Sequence, residues 1–216
     1  MNTLFFRDAK WMQRPVSDNM RVLDVGAGGM RRAPHVTTMD VRSMENTDVV
    51  HDADVFPWPF EDDSFDYIIL SNVLEHVENI GEVLDEIQRI GRDGAMVRCI
   101  CPHFSNPCTY VDVTHRHALS VLSLNVFCLP VAKRSLAAAT LLKKVAGCDM
   151  AVADKFRENK FILNRRSLYF REALWFTLIP IWGNLLQEFF EVYISRFIPA
   201  WAIYWELIIF KSRSKE

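Results

Sequence analysis

"RVLDVGAGG", Arg21 to Gly29, is the stretch on which the fold turns. Arg21 to Val25 is a short aliphatic and β-branched run that Gly26 stops, the pattern of a strand buried in a parallel sheet. Gly26, Gly28 and Gly29 then leave the backbone bare, free to turn as other residues resist and to approach a ligand closely. Asp24 stands at the carboxyl end of this strand, and open α/β sheets bind their ligands outside such ends.

The pattern repeats outward from this point. "VTTMDV" (Val36 to Val41), "DVVHD" (Asp48 to Asp52) and "FDYIILS" (Phe65 to Ser71) are further candidate strands. Between Glu82 and Arg92, Val83, Ile87 and Ile90 recur at helical spacing with Asp85, Glu86 and Arg89 off that face, so an amphipathic helix is expected, closed by Gly94. "AMVRCIC" (Ala95 to Cys101) restarts the strand pattern. Beyond it we expect a helix from Ser135 to Gly147, a strand from Lys155 to Leu163, one or two helices from Leu168 to about Phe197, and a last strand from about Ala202 to Ser212. The alternation predicts an α/β fold: a Rossmann-like, doubly wound, mostly parallel seven-stranded sheet with a helical C-terminal lid insertion. At 216 residues the chain reads as one domain, 1–216, with lid or acceptor-binding elements at about 103–150 and 168–197.

Composition narrows the partners. A formal charge of -2 leaves no broad basic surface, so nucleic acid is not expected as a partner. Five cysteines at irregular spacing and an N-terminus with no basic head and apolar run argue for reduced thiols and a cytoplasmic protein. Arg171, Glu172, Gln187, Glu188, Glu191, Arg196 and Glu206 interrupt the apolar C-terminal third, short of the roughly 18 to 20 uncharged residues that cross a bilayer. Its aromatic helices are expected to pack as core or lid, or to make a peripheral contact with the inner membrane face. The oligomeric state is not legible.

Three acids at successive strand ends define the expected ligand. Asp24 adjoins the glycine turn, Asp40 is placed to accept hydrogen bonds from a ribose diol, and Asp52 to hold an adenine amino group. No GxGxxG follows, and Pro34 leaves no room for a full helix before the second strand, which argues against a dinucleotide pyrophosphate. A ribose and an adenine without a diphosphate cradle fit S-adenosylmethionine.

"VLDVGAGG", "TTMDV", "HDADVFPWPFEDDSFDYIILSNVLEHV" and "EVLDEIQRIGRDGAMV", in order from Arg21 to Pro102, resemble the class I S-adenosylmethionine-dependent methyltransferases, in particular the group with a "vLEH" motif after strand four. "PHFSNP…YVDVTHRHALS" and "FIPAWAIYWELIIFK" resemble a bacterial branch with a "PH…D.TH" segment after strand five, many of whose members serve surface-glycan assembly. The resemblance implies that Asp24, Gly26, Ala27 and Gly28 hold the methionine part of the cofactor, Asp40 the ribose, Asp52 and Ala53 the adenine, and Asn72 the region of the methionine amino group. The short first connection departs from the family, so the cofactor's carboxylate is expected to lean on Arg31 or Arg32.

Methyl transfer to a hydroxyl needs alignment and removal of a proton, and a neutral imidazole suits the latter. His103 and His115 lie just past strand five, and Asp112 sits three residues before His115. We expect His115 as general base, supported by Asp112, with His103 as second choice; the alternative is that His115 or His117 packs a helix beginning near Ala118. His76 is expected to structure the loop near the sulfonium. Cys99 and Cys101 alternate along a strand and lack the paired spacing of structural zinc, and the acids of a catechol-type metal site are missing, so no metal is expected.

The expected function is therefore methyl transfer from S-adenosylmethionine to an oxygen, of a sugar hydroxyl in a glycan or nucleotide sugar or of another small polar metabolite. One alternative keeps the cofactor and exchanges the acceptor for a lipid or quinone at a membrane surface. The other is a catalytically silent binding module with the same fold.

Overall fold

The structure is a computed structural model that describes residues 17–129, 160–170 and 179–211. In chain order it runs β1 (Val22–Val25), β2 (Val36–Asp40), β3 (Val49–Val50), β4 (Phe65–Ser71), α1 (Ile80–Ile90), β5 (Gly91–Pro102), α2 (Cys108–Val111), a 3₁₀ turn (Ser123–Phe127), β6 (Phe161–Tyr169), α3 (Ile179–Leu185), α4 (Gln187–Phe189), a π-helical turn (Phe190–Ile194) and β7 (Ala202–Ile209). The seven strands form one open sheet in the order β3-β2-β1-β4-β5-β7-β6. β1 to β5 pair in parallel and β7 runs antiparallel to both β5 and β6, which makes β7 the reversed strand. This is the expected Rossmann-like, mostly parallel sheet.

The central strands are apolar because both faces are covered. Leu23, Val25, Ile68, Leu70, Val97 and Cys99 are all fully buried. Successive strands step from β1 to β2 to β3, and then the chain returns to lay β4 on the other side of β1. That reversal opens a crevice past the carboxyl ends of β1 and β4, where such sheets take their ligands.

Helix α1 forms where its periodicity predicted, with Val83, Leu84, Ile87 and Ile90 buried. Asn79 caps it, its Oδ1 accepting from Gly81 N at 2.9 Å while its Nδ2 donates to Glu82 Oε1 at 3.0 Å. The helix ends at Ile90 and not at Gly94. Gly91 packs against Ile209 of β7, and β5 begins there. Gly94, at φ +81°, belongs to the irregularity where pairing steps from Phe65–Gly91 to Tyr67–Met96.

The C-terminal elements differ more from expectation. The predicted helix Ser135–Gly147 lies outside the described residues. The strand expected at 155–163 is instead Phe161–Tyr169, so it takes Leu168 and Tyr169 from the predicted helical span. Asn164, Arg165 and Arg166 obscure it in the sequence, and a strand at the edge of the sheet, laddered to β7 along one side, tolerates them better than a central strand would. The helices that follow are short, and the last helical turn stops at Ile194. Asn184 ties α3 to β6 by accepting from Leu168 N at 2.7 Å and donating to Leu168 O at 2.9 Å.

Candidate functional site

The glycine turn is held from both sides. Gly26 N and Ala27 N donate to Met39 O at 2.8 and 3.2 Å, so the chain leaving β1 stays bound to β2. Gly26, Gly28 and Gly29 have φ of 65°, 62° and 73°, a region that side chains resist. Gly28 N donates to Asp40 Oδ2 at 2.8 Å, and Arg42 N to Asp40 Oδ1 at 3.0 Å. The acid at the end of β2 thereby shapes the turn at the end of β1. A Cβ on Gly26 would stand 2.6 Å from Val73 Cγ2, whereas one on Gly28 would meet nothing within 4 Å. The turn thus packs on the loop after β4 and leaves open space above Gly28.

Asp24 is buried beside it. Its Oδ2 accepts from Arg32 Nε at 2.6 Å, while its Oδ1 is buried without a partner. Burial pushes the carboxyl up, against the opposing pull of Arg32. Arg31 donates to Val36 O at 2.8 Å and to Asp48 Oδ1 at 2.5 Å, which commits it to the joint between β2 and β3. Of the two arginines considered for a cofactor carboxylate, Arg32 alone stands at the glycine turn.

The remaining expected cofactor residues line the neighbouring loops. Asp52 is exposed and its Oδ1 accepts from Asp54 N at 3.0 Å; His51 N donates to Asp40 O at 3.0 Å, which holds this loop against the end of β2. Trp58 anchors Ala53 through an Nε1–H donated to Ala53 O at 3.1 Å, and Trp58 N donates to Glu86 Oε2 at 2.8 Å. Arg89 of α1 donates to Trp58 O, Phe60 O and Glu86, so the helix clamps the whole loop. Asn72 has φ +56° at the end of β4, and its N–H donates to Ile100 O at 2.8 Å. The structure therefore gathers Asp24, Gly26, Ala27, Gly28, Asp40 and Asn72 at the crevice, with Asp52 and Ala53 one strand farther out.

His103 is corrected. It is fully buried, its Nδ1 accepts from Ser105 N at 3.1 Å, and its Nε2 stands 3.0 Å from Glu191 Oε1, which also accepts from Val121 N at 2.7 Å. With Nδ1 accepting, the proton sits on Nε2 and goes to Glu191. A histidine sealed and saturated in this way cannot meet an acceptor. It locks the end of β5 to the π-helical turn.

Asp112 is displaced from its expected role in a different manner. Its Oδ2 lies 3.9 Å from His115 Nε2, beyond hydrogen-bond reach, and its Oδ1 accepts from Thr114 N at 2.9 Å and Thr114 Oγ1 at 2.6 Å. Those bonds hold its carboxyl below the usual range. His115 is oriented instead by Thr109 O, 2.9 Å from Nδ1. His117 donates from Nε2 to Val77 O at 2.9 Å, a packing role, and the chain near Ala118 is irregular where a helix was considered.

Glu75 is the residue that sequence reasoning missed. It is 1 % exposed, and both carboxylate oxygens lack a hydrogen-bond partner, with the weakly donating Cys101 thiol alongside. Burial pushes its carboxyl up to about 7. One ligand atom each from Glu75, His76 and His115 fall within 4.8 Å of one another, and the two imidazole rings meet edge-on at 4.7 Å. The available signal was an acid between the apolar Val73, Leu74 and Val77 of "NVLEHV". Cys99 and Cys101, by contrast, are fully buried as small core residues.

Beyond this, Trp182, Gly183, Leu186, Phe189, Phe190, Ile194 and Ile198 enclose a cavity of about 380 Å³ that is almost wholly apolar. Trp182, Leu185, Leu186, Phe189, Tyr193 and Phe197 nearby are all partly or largely exposed. No helix among the described residues is long and apolar enough to cross a membrane.

Residues 23–99 match the family model of a methyltransferase domain. Demethylmenaquinone methyltransferases of Staphylococcus aureus strains JH9 and Newman are 41% identical over 58 residues, 27% of this chain and 24% of theirs. The chain thus aligns with about a quarter of the length of these curated relatives. Among solved structures, the YcgJ protein of Bacillus subtilis is similar at a TM-score of 0.51 and 14% identity, covering 89% of this chain and 93% of that one. An S-adenosylmethionine-dependent methyltransferase of Mesorhizobium loti is similar at 0.49 and 14% identity, covering 92% and 94%.

Proposed function

We propose that this chain, whose residues 23–99 match the family model of a methyltransferase domain, is a class I S-adenosylmethionine-dependent enzyme that transfers a methyl group to an oxygen of an acceptor with an apolar body. The observation that carries the cofactor half is the linkage of Asp40 to the glycine turn beside the half-satisfied, buried Asp24. The fit is chemical as well as steric. Asp24 Oδ1 is a buried acceptor in want of a donor such as an ammonium group, and the space over Gly28 admits a ligand against bare backbone. Asp40 presents remaining lone pairs to a diol, and the Asp52–Ala53 loop closes the adenine side.

S-adenosylmethionine, when bound, supplies a methyl group activated by its sulfonium. The protein's part is to align the acceptor and to draw off its proton. Glu75, His76 and His115 are the groups for the second task, because they stand past the ends of β4 and β5, on and opposite the loop that packs against the glycine turn through Val73.

The acceptor's apolar body is supported by the cavity among the C-terminal helices, whose lining offers a sugar almost nothing to hydrogen-bond. The relatives named for demethylmenaquinone point the same way. This favours a lipid or quinone over the sugar hydroxyl expected from the sequence.

Calorimetry with S-adenosylmethionine tests the cofactor site. Asp40→Ala should weaken binding by at least about 1 kcal/mol, through the lost diol bonds and the loosened Gly28 turn. Unaltered affinity would overturn the assignment. Binding without release of S-adenosylhomocysteine on any apolar or sugar acceptor would favour the silent module instead.

A further inference from the structure

Glu75, His76 and His115 bring unshared lone pairs to one place, an arrangement that a cation can satisfy. His115 Nδ1 lies 2.9 Å from Thr109 O, which can only accept, so the ring proton is on Nδ1 and Nε2 carries a lone pair. Thr114 Oγ1 donates to Asp112 Oδ1 at 2.6 Å, so at its 3.0 Å contact with His76 Nδ1 it accepts. His76 therefore also holds its proton on Nδ1 and a lone pair on Nε2. Glu75 adds two buried oxygens without a hydrogen-bond partner. One ligand atom from each of the three residues falls within 4.8 Å of the others, and the two Glu75 oxygens have no nitrogen or oxygen donor of the protein to satisfy them.

The geometry points to a binding site for one divalent transition-metal ion, held by Glu75 and by Nε2 of His76 and His115. Two imidazoles and one carboxylate are a ligand set for such ions, and three protein ligands leave positions open. Each imidazole donates its other N–H to an oxygen, the outer-shell arrangement that fixes a ligating histidine. Asp112 takes its place in this scheme as the acid behind Thr114. Glu75 is buried, and apart from the weakly donating Cys101 thiol its oxygens have no hydrogen-bond partner.

The site deepens the reaction proposed above and rests on that reading for its role, although ion binding itself does not depend on it. With the ion bound, the three residues would draw off the proton through it and not take it themselves: an acceptor hydroxyl entering an open position would be acidified by the ion. Its proton leaves to solvent, a C–O bond to the methyl carbon forms, and the methyl carbon's bond to sulfur breaks.

The test is titration of the chelator-stripped full chain with Zn²⁺ by calorimetry and with Co²⁺ by visible absorption. One equivalent should bind, and Glu75→Gln and His115→Ala should each weaken it by at least about tenfold. Cys108→Ser, which changes an exposed thiol outside the trio, should leave it unchanged. Glu75→Gln also guards against misfolding, because a neutral amide of nearly the same shape removes a buried charge and should not lower the melting temperature of the stripped chain. No binding, or binding indifferent to both variants, would overturn the site. S-adenosylmethionine affinity in the same variants separates this outcome from failure of the cofactor reading: it should stay within about twofold of the parent chain whether or not the ion binds.

Discussion

At the scale of single residues, the site was legible where identity alone dictates placement and illegible where partners decide. Asp24, Asp40 and the glycines stand at strand ends, and strand ends can be read from a run of aliphatic residues. His103 could not be so read, because its burial depends on Glu191, 88 positions away. Glu75 was hidden by the histidine beside it. The two glycines at the turn allow a prediction that separates folding from binding. Alanine at either position must adopt a left-handed backbone, at about 1 to 2 kcal/mol. At Gly26 the new methyl also meets Val73 Cγ2 at 2.6 Å, so Gly26→Ala should lose more stability in urea denaturation than Gly28→Ala, and Val73→Ala should recover part of the difference. Gly28→Ala points its methyl into open space, so its larger effect should fall on S-adenosylmethionine affinity. Equal stability losses for both variants would contradict the packing of the turn on the β4 loop.

At the scale of elements, the parallel half of the sheet followed from its sequence because its strands are built on short β-branched and aliphatic runs bounded by polar or glycine residues. The C-terminal half did not, since β6 is an edge strand with Asn164, Arg165 and Arg166 in its middle, a pattern that resembles neither a buried strand nor an amphipathic helix. Helix α1 was the most predictable element, and it bears on function because Arg89 and Glu86 clamp the loop that carries Asp52 and Ala53. Its N-terminus depends on Asn79, which accepts from Gly81 N and exchanges a bond with Glu82. Asn79→Ala should therefore cost about 1 kcal/mol of unfolding free energy in urea, while Asn79→Asp should retain most of it. If Asn79→Ala leaves the midpoint unmoved, the cap contributes nothing and the helix is held by its buried face alone.

At the scale of the whole molecule, the chain divides its labour between a polar crevice at the β1/β4 switch point and an apolar region built by α3, α4 and the π-helical turn. His103 and Glu191 join the two, since Glu191 follows Phe190 of the cavity wall and holds the end of β5. For the apolar acceptor proposed above, the exposed Trp182, Leu185 and Phe197 offer a surface on which a lipid interface could rest. Each is more than half exposed, so serine at these three positions should change the melting temperature little. If the acceptor is taken from a membrane, the native chain should co-sediment with vesicles of anionic and zwitterionic phospholipid. The triple Ser variant should then lose most of that association while keeping its affinity for S-adenosylmethionine. Failure of the native chain to sediment would remove the membrane from the reading and return the acceptor to a soluble molecule that carries its apolar body into the cavity.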